Sequence, residues 1–68
     1  MSELSGVRKR VSGQLTQRAR SLILTTDEGD VWIIDVSDID EFLVGQRVKL
    51  EGIATGADRI RADWIGQA

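Results

Sequence analysis

The sequence predicts an all-β domain, a five-stranded barrel with one short helix between strands 3 and 4. Three observations point there. Five segments with alternating apolar and polar residues fill most of the 68 positions, the period of half-buried strands. One apolar stretch at helical spacing interrupts them between the third and the fourth, and it is too short to be stable alone. Turn-forming residues occupy two of the gaps, Asp27-Glu28-Gly29 and Thr55-Gly56-Ala57-Asp58, as hairpins require.

Residues 1–7 read as a frayed, disordered N-terminus, and residues 8–68 as a single domain. The first strand runs from Arg8 to Gln17, with Val11, Gly13 and Leu15 on one parity and Ser12, Gln14 and Thr16 on the other. Gly13 at its middle marks a bulge or a sharp curl. The second and third strands are Ser21–Thr26 and Val31–Val36. A three-residue loop with Gly29 in the left-handed region fixes their register. That register gathers Leu22, Leu24, Trp32 and Ile34 on one face and leaves Ile23, Thr25, Val31, Ile33 and Asp35 on the other. Ser37–Val44 reads as one or two helical turns. Ser37 or Asp38 is the cap, with an acid three residues on, and Ile39, Phe42 and Leu43 form one apolar face. Gly45 ends it. The fourth strand, Arg47–Ile53, turns Val48, Leu50 and Gly52 inward. The fifth, Arg59–Ile65, does the same with Ile60, Ala62 and Trp64. The expected core is Val11, Leu15, Leu22, Leu24, Trp32, Ile34, Ile39, Phe42, Leu43, Val48, Leu50, Ile60 and Ala62. Strand-strand-strand-helix-strand-strand is the order of an OB-type Greek-key barrel.

Composition excludes more than it assigns. A chain this short buries only about 60% of its unfolded surface, and it has neither cysteine nor histidine. Disulfides, thiolate–metal sites and the commonest general base are therefore unavailable. No cofactor and no metal are expected. Asp35, Asp38, Asp40 and Glu41 could be read as a divalent-ion cluster, but helix capping and the helix dipole already account for three of them. No Ser or Thr has a His or Cys to activate it, so the chain reads as a non-enzyme. With no apolar run of signal-peptide or membrane-spanning length, the expected location is cytoplasmic.

Net charge is −2, and the charges are segregated. Residues 1–20 carry five cations against one anion, residues 21–46 carry seven anions and no cation, and residues 47–68 carry four cations against three anions. Two candidate surfaces follow. Ile23, Val31 and Ile33, outward on the second and third strands, form an apolar patch for a protein partner or a second copy, unless the strands are covered on both sides. Arg8, Lys9, Arg10, Arg18, Arg20, Arg47 and Lys49 form a candidate anion or nucleic-acid surface, because the first strand would pair with the fourth. The alternative is a solvated face that keeps the domain soluble. With Trp32 and Trp64 both placed inward, the stacking platform of a single-strand binder is missing.

Several of these residues carry a resemblance. Leu15, Leu24-Thr25-Thr26-Asp27-Glu28-Gly29, Trp32, Asp35, the run Gly45-Gln46-Arg47-Val48-Lys49-Leu50-Glu51-Gly52, and Gly56-x-Asp58-x-Ile60 resemble a family of small bacterial OB-like domains of unknown function. The resemblance spans Val11 to Ile65. It implies an OB barrel and brings no catalytic or binding residues with it. OB barrels as a class bind oligonucleotides, oligosaccharides or proteins. The expected role is thus a non-enzymatic OB-fold binding module for a protein partner or for self-association, with weak single-stranded nucleic-acid binding as the alternative.

Overall fold

The computed structural model describes residues 7–68. Its strands are β1 (Val7–Arg18), β2 (Ser21–Thr26), β3 (Val31–Asp35), β4 (Arg47–Gly56) and β5 (Arg59–Gln67). Of the expected frayed segment, residues 1–6 lie outside the described residues, and Val7 is the first residue of β1. No helix among the described residues is long and apolar enough to cross a membrane.

The β2–β3 register is the one that the loop chemistry requires. Leu22 faces Ile34, Leu24 faces Trp32, and Ile23 faces Ile33. Gly29 takes φ +94° and donates its N–H to the Thr26 carbonyl at 3.0 Å. Thr26 is buried, and its hydroxyl oxygen accepts from the Asp30 N–H at 3.0 Å. A buried polar group is thereby satisfied inside the turn it closes.

β1 is shared between two partners. Its first half pairs with β4 and its second half with β2, and Gly13 and Gln14 pair with both. The absence of a side chain at Gly13 makes this possible, since a Cβ there would overlap the Thr25 carbonyl oxygen and lie 2.7 Å from the Thr26 Cα. At the β1–β2 turn, Ala19 holds φ +53°, a region that costs an L-residue about 1–2 kcal/mol. Replacing Ala19 with Gly relieves that strain against a smaller entropic cost in the unfolded chain. We expect a net gain of about 0.5 kcal/mol, visible as a higher urea midpoint; a lower midpoint would contradict this reading of the turn.

The pairing order β1-β2-β3-β5-β4 closes on itself, but the closing seam is short. β3 and β5 run parallel and share three residue pairs, Ile33 with Arg59, Ile34 with Ile60 and Asp35 with Arg61. One further bond, from the Ile33 N–H to the Asp58 carbonyl at 2.7 Å, completes it. Past Asp35 the two strands part. The expected OB-type Greek-key barrel is therefore corrected to a five-stranded mixed sheet, drawn together by one short parallel seam and open beyond it.

The expected helix is corrected as well. Between β3 and β4 there is a single 3₁₀ turn, Glu41–Leu43. Asp40, rather than Ser37 or Asp38, is its cap, and its carboxylate accepts from the Phe42 N–H at 3.0 Å. Starting the turn at Asp40 leaves only Ile39 and Leu43 against the core. Phe42, which a full helical turn would have buried with them, is 85% exposed. The segment then docks on β1, where the Gly45 N–H donates to the Leu15 carbonyl at 2.7 Å and the Leu15 N–H to the Gln46 carbonyl at 3.0 Å.

The core consists of Leu15, Leu24, Ile34, Val48, Leu50, Ile60 and Ala62, with Val11, Leu22, Trp32, Val36, Ile39, Leu43 and Ile65 packed around it. A second departure from expectation explains Ile65. Glu51 pairs with Trp64 while Gly52 pairs with Ala62, so Asp63 is an extra, bulged residue. A bulge reverses the parity of the strand beyond it. Ile65 consequently turns inward, and Trp64 turns outward with 51% exposure. Its indole lies over Gly66, where a Cβ would meet the ring at 2.7 Å.

Candidate functional site

Three outer surfaces result from this arrangement. The first is the β2–β3 face. Ile23 and Ile33 stand opposite each other and are half-buried, while Val31, opposite Thr25, is exposed. The three residues are adjacent, and of the three only Val31 falls in the fully exposed class.

The second surface is the cationic face of β1 and β4. The pairing brings Arg10 opposite Glu51 and Ser12 opposite Lys49. Three of the seven candidate cations there are engaged by carboxylates. Arg8 donates to Asp63 at 2.9 Å and to Glu51 at 3.2 Å. Arg10 donates to Glu51 at 3.1 Å. Arg47 makes a two-pronged contact with Asp27 at 2.8 and 2.9 Å, the fork geometry that guanidinium and carboxylate favour. Lys9, Arg18, Arg20 and Lys49 are exposed; Arg18 and Arg20 flank Ala19 at the β1–β2 turn, away from the paired cluster. The face is a lattice of alternating charge more than a phosphate track.

The hydrogen bond from Arg47 holds the Asp27 carboxyl below its ordinary value, and the one from Arg8 does the same to Asp63. Arg47 and Arg8 are raised in return, chiefly by those same hydrogen bonds. Both acids bind a proton less readily in the folded chain than in the unfolded one, where the value is 3.8. Their contribution to stability is therefore complete above that value and disappears as pH falls through the lower folded values. Urea midpoints measured from about pH 5 down to about pH 2.5 should fall less steeply in the Asp27→Asn, Asp63→Asn double variant than in the parent. Equal slopes would show that the two pairs do not contribute.

The third surface was not expected from the sequence. It lies where β3 and β5 part. An open groove of about 680 Å³ runs there between Asp35–Asp38 on one side and Arg61–Asp63 on the other. Asp35 is held by Arg59 at 3.1 Å. Phe42 lies on the loop beyond Asp38, and Trp64 lies one residue beyond Asp63, so two of the three aromatic residues of the chain are exposed on the segments leading away from this fork. For Trp64 the sequence signals are glycines, Gly52 at the bulge and Gly66 beneath the indole; Phe42 has none.

Among the described residues, no group of three or more His, Cys, Asp or Glu could hold a metal ion. The groove is open to solvent. The expected role as an OB-fold binding module is accordingly corrected along with the fold. The mixed sheet and its single 3₁₀ turn remove the fold on which that role rested, and a small β-rich domain remains.

No curated protein matches the chain, and no solved structure matches it. A family model described as a protein of unknown function, DUF5818, matches residues 12–68. That match runs from the middle of β1 through β5 and takes in part of every strand pair, and the chain belongs to the DUF5818 family.

Proposed function

We propose that this domain works without catalysis, by docking a protein partner through its exposed aromatics, Phe42 and Trp64. One observation carries the reading. In a chain with three aromatic residues and a small core, Phe42 and Trp64 are turned to water. Burying such a ring is worth several kcal/mol in folding, and exposed aromatics surrounded by polar residues mark protein contact surfaces. The lack of histidine and cysteine and the open grooves support a non-catalytic role. A cytoplasmic setting fits a domain this small with no disulfide.

A photo-crosslinking amino acid placed at position 42, compared with one at Ser12 opposite Lys49 on the β1–β4 face, tests the proposal in the native host. We expect a discrete protein adduct from position 42 and none from position 12. An adduct of twice the chain mass identifies a second copy as the partner. Absence of any adduct at both 42 and 64 would overturn the proposal. Phe42→Ser should leave stability within about 0.5 kcal/mol of the parent, because the ring does not contribute to the core.

A further inference from the structure

We propose that the β2–β3 face is self-complementary and pairs with the same face of a second copy, the two chains being related by a two-fold axis. The inference goes beyond the docking role of Phe42 and Trp64 and uses a different surface.

The first observation is the apolar centre of the face. Ile23 stands opposite Ile33, and Thr25 opposite Val31. Val31 is 54% exposed, and the two half-buried isoleucines keep part of their surface in water. The second observation is uncommitted charge at the two ends of β2. Arg18 and Arg20 sit at the β1–β2 turn, where β2 begins, and Glu28 and Asp30 at the β2–β3 turn, where it ends. All four are exposed, and none has an ion-pair partner among the described residues. The charges beside them are already answered. Asp27 is taken by Arg47 and Asp35 by Arg59, and Arg61 lies across the groove from Asp38. Asp58, just before β5, adds an exposed acid at the Glu28 end, because β3 and β5 run parallel.

This arrangement selects the occupant. The six residues of β2 hold the two turns about 17 Å apart. That is about twice the screening length of about 8 Å at physiological ionic strength, so each end keeps its own sign. A two-fold axis through the Ile23–Ile33 pair turns the second copy end for end. Apolar strip then lies on apolar strip, and the arginines of each copy lie over the acids of the other. An isologous contact requires such a patch, one that is its own complement. Stacking in the same direction sets like charges together and is repelled. A surface of one sign is repelled at one end of the face, whereas a second copy satisfies both. Each copy uses up its own face, so assembly stops at two chains.

Sedimentation velocity from about 10 μM to about 1 mM, the range of a weak, small interface, tests the inference together with amide NMR of labelled protein. We expect a monomer–dimer equilibrium that weakens as salt is raised, with concentration-dependent shifts at Ile23, Val31 and Ile33. Val31→Ser should weaken the dimer about tenfold. The Arg18→Glu, Arg20→Glu variant and the Glu28→Lys, Asp30→Lys variant should each be monomeric, with the circular dichroism of the parent. Mixed in equal amounts, the two should form a heterodimer, since one then presents acids at both ends and the other bases. Should either variant lose the fold, the parent's own shifts and salt dependence decide. A parent that stays monomeric over the whole range would overturn the inference. So would a dimer that survives both charge reversals, a mixture of the two variants that stays monomeric, or assembly beyond two chains. Concentration-dependent shifts confined to Phe42 and Trp64 would move the second copy to the aromatics, overturning this face and leaving the docking proposal standing.

Discussion

Gly13→Ala is expected to lower stability by about 3 kcal/mol, at the upper end of what overpacking costs. The added methyl would meet the Thr25 carbonyl and the Thr26 Cα, and both are backbone atoms. A flexible side chain could move aside, but these atoms cannot without breaking the Gly13–Thr26 register. Because Gly13 also pairs with Val48, a shift toward β4 is blocked too. For a chain of this length, total stability is about 3–10 kcal/mol, and 3 kcal/mol corresponds to a melting temperature lower by about 15 °C. A thermal melt followed by circular dichroism gives the answer. A Gly13→Ala protein melting within about 3 °C of the parent would mean that β1 does not pass between β2 and β4 at this point.

Leu24→Ala has the second large effect, a loss of about 2–5 kcal/mol. Leu24 is fully buried and sits at the centre of a row running from Leu15 on β1 through Leu24 on β2 to Trp32 on β3. Truncation leaves a cavity bordered by two residues that are fixed by strand pairing, so it closes poorly. The neighbouring Thr25→Ala is the control. Thr25 is exposed on the opposite face, and its replacement should change stability by less than about 0.5 kcal/mol. A register slip of one residue would exchange the two positions. Urea denaturation of both variants therefore tests the register as well as the core; a costly Thr25→Ala with a mild Leu24→Ala would contradict it.

Strand content and the β2–β3 register were legible because each has a local cause. Alternation fixes the faces, and Gly29 fixes the loop. The departures all arise where a non-local event overrides a local pattern. Trp64 continues the inward parity of Ile60 and Ala62 in sequence. Only the pairing of β5 with β4, which leaves Asp63 unpaired, turns it outward. Phe42 fits a helical face with Ile39 and Leu43, yet the chain spends residues 36–40 crossing from the end of β3 and has room for a single 3₁₀ turn before Gly45 docks on β1. The β3–β5 fork could not be read at all, since it depends on where a parallel seam stops. The candidate surfaces differ in the same way. Strand parity puts Ile23, Val31 and Ile33 on one face, but it does not set their depth, and Ile23 and Ile33 are half-buried while Val31 is exposed. The clustering of Arg8 and Arg10 near β4 was readable from the expected pairing of the first and fourth strands. The contacts with Glu51 follow from that pairing, which sets Arg10 opposite Glu51; the contact of Arg8 with Asp63 involves the bulged residue.

The central claim is that the sheet closes through a short parallel seam and leaves the β5 edge unpaired beyond it. Residue-resolved amide hydrogen exchange tests that claim most directly. The account predicts slow exchange at Leu15, Leu24 and Ile33, whose amides are tied into the sheet and the seam, and fast exchange at alternate amides from Asp63 to Gln67, where one side of β5 faces solvent. Uniform protection from Arg59 to Gln67 would contradict it, because every amide of β5 would then already have a partner.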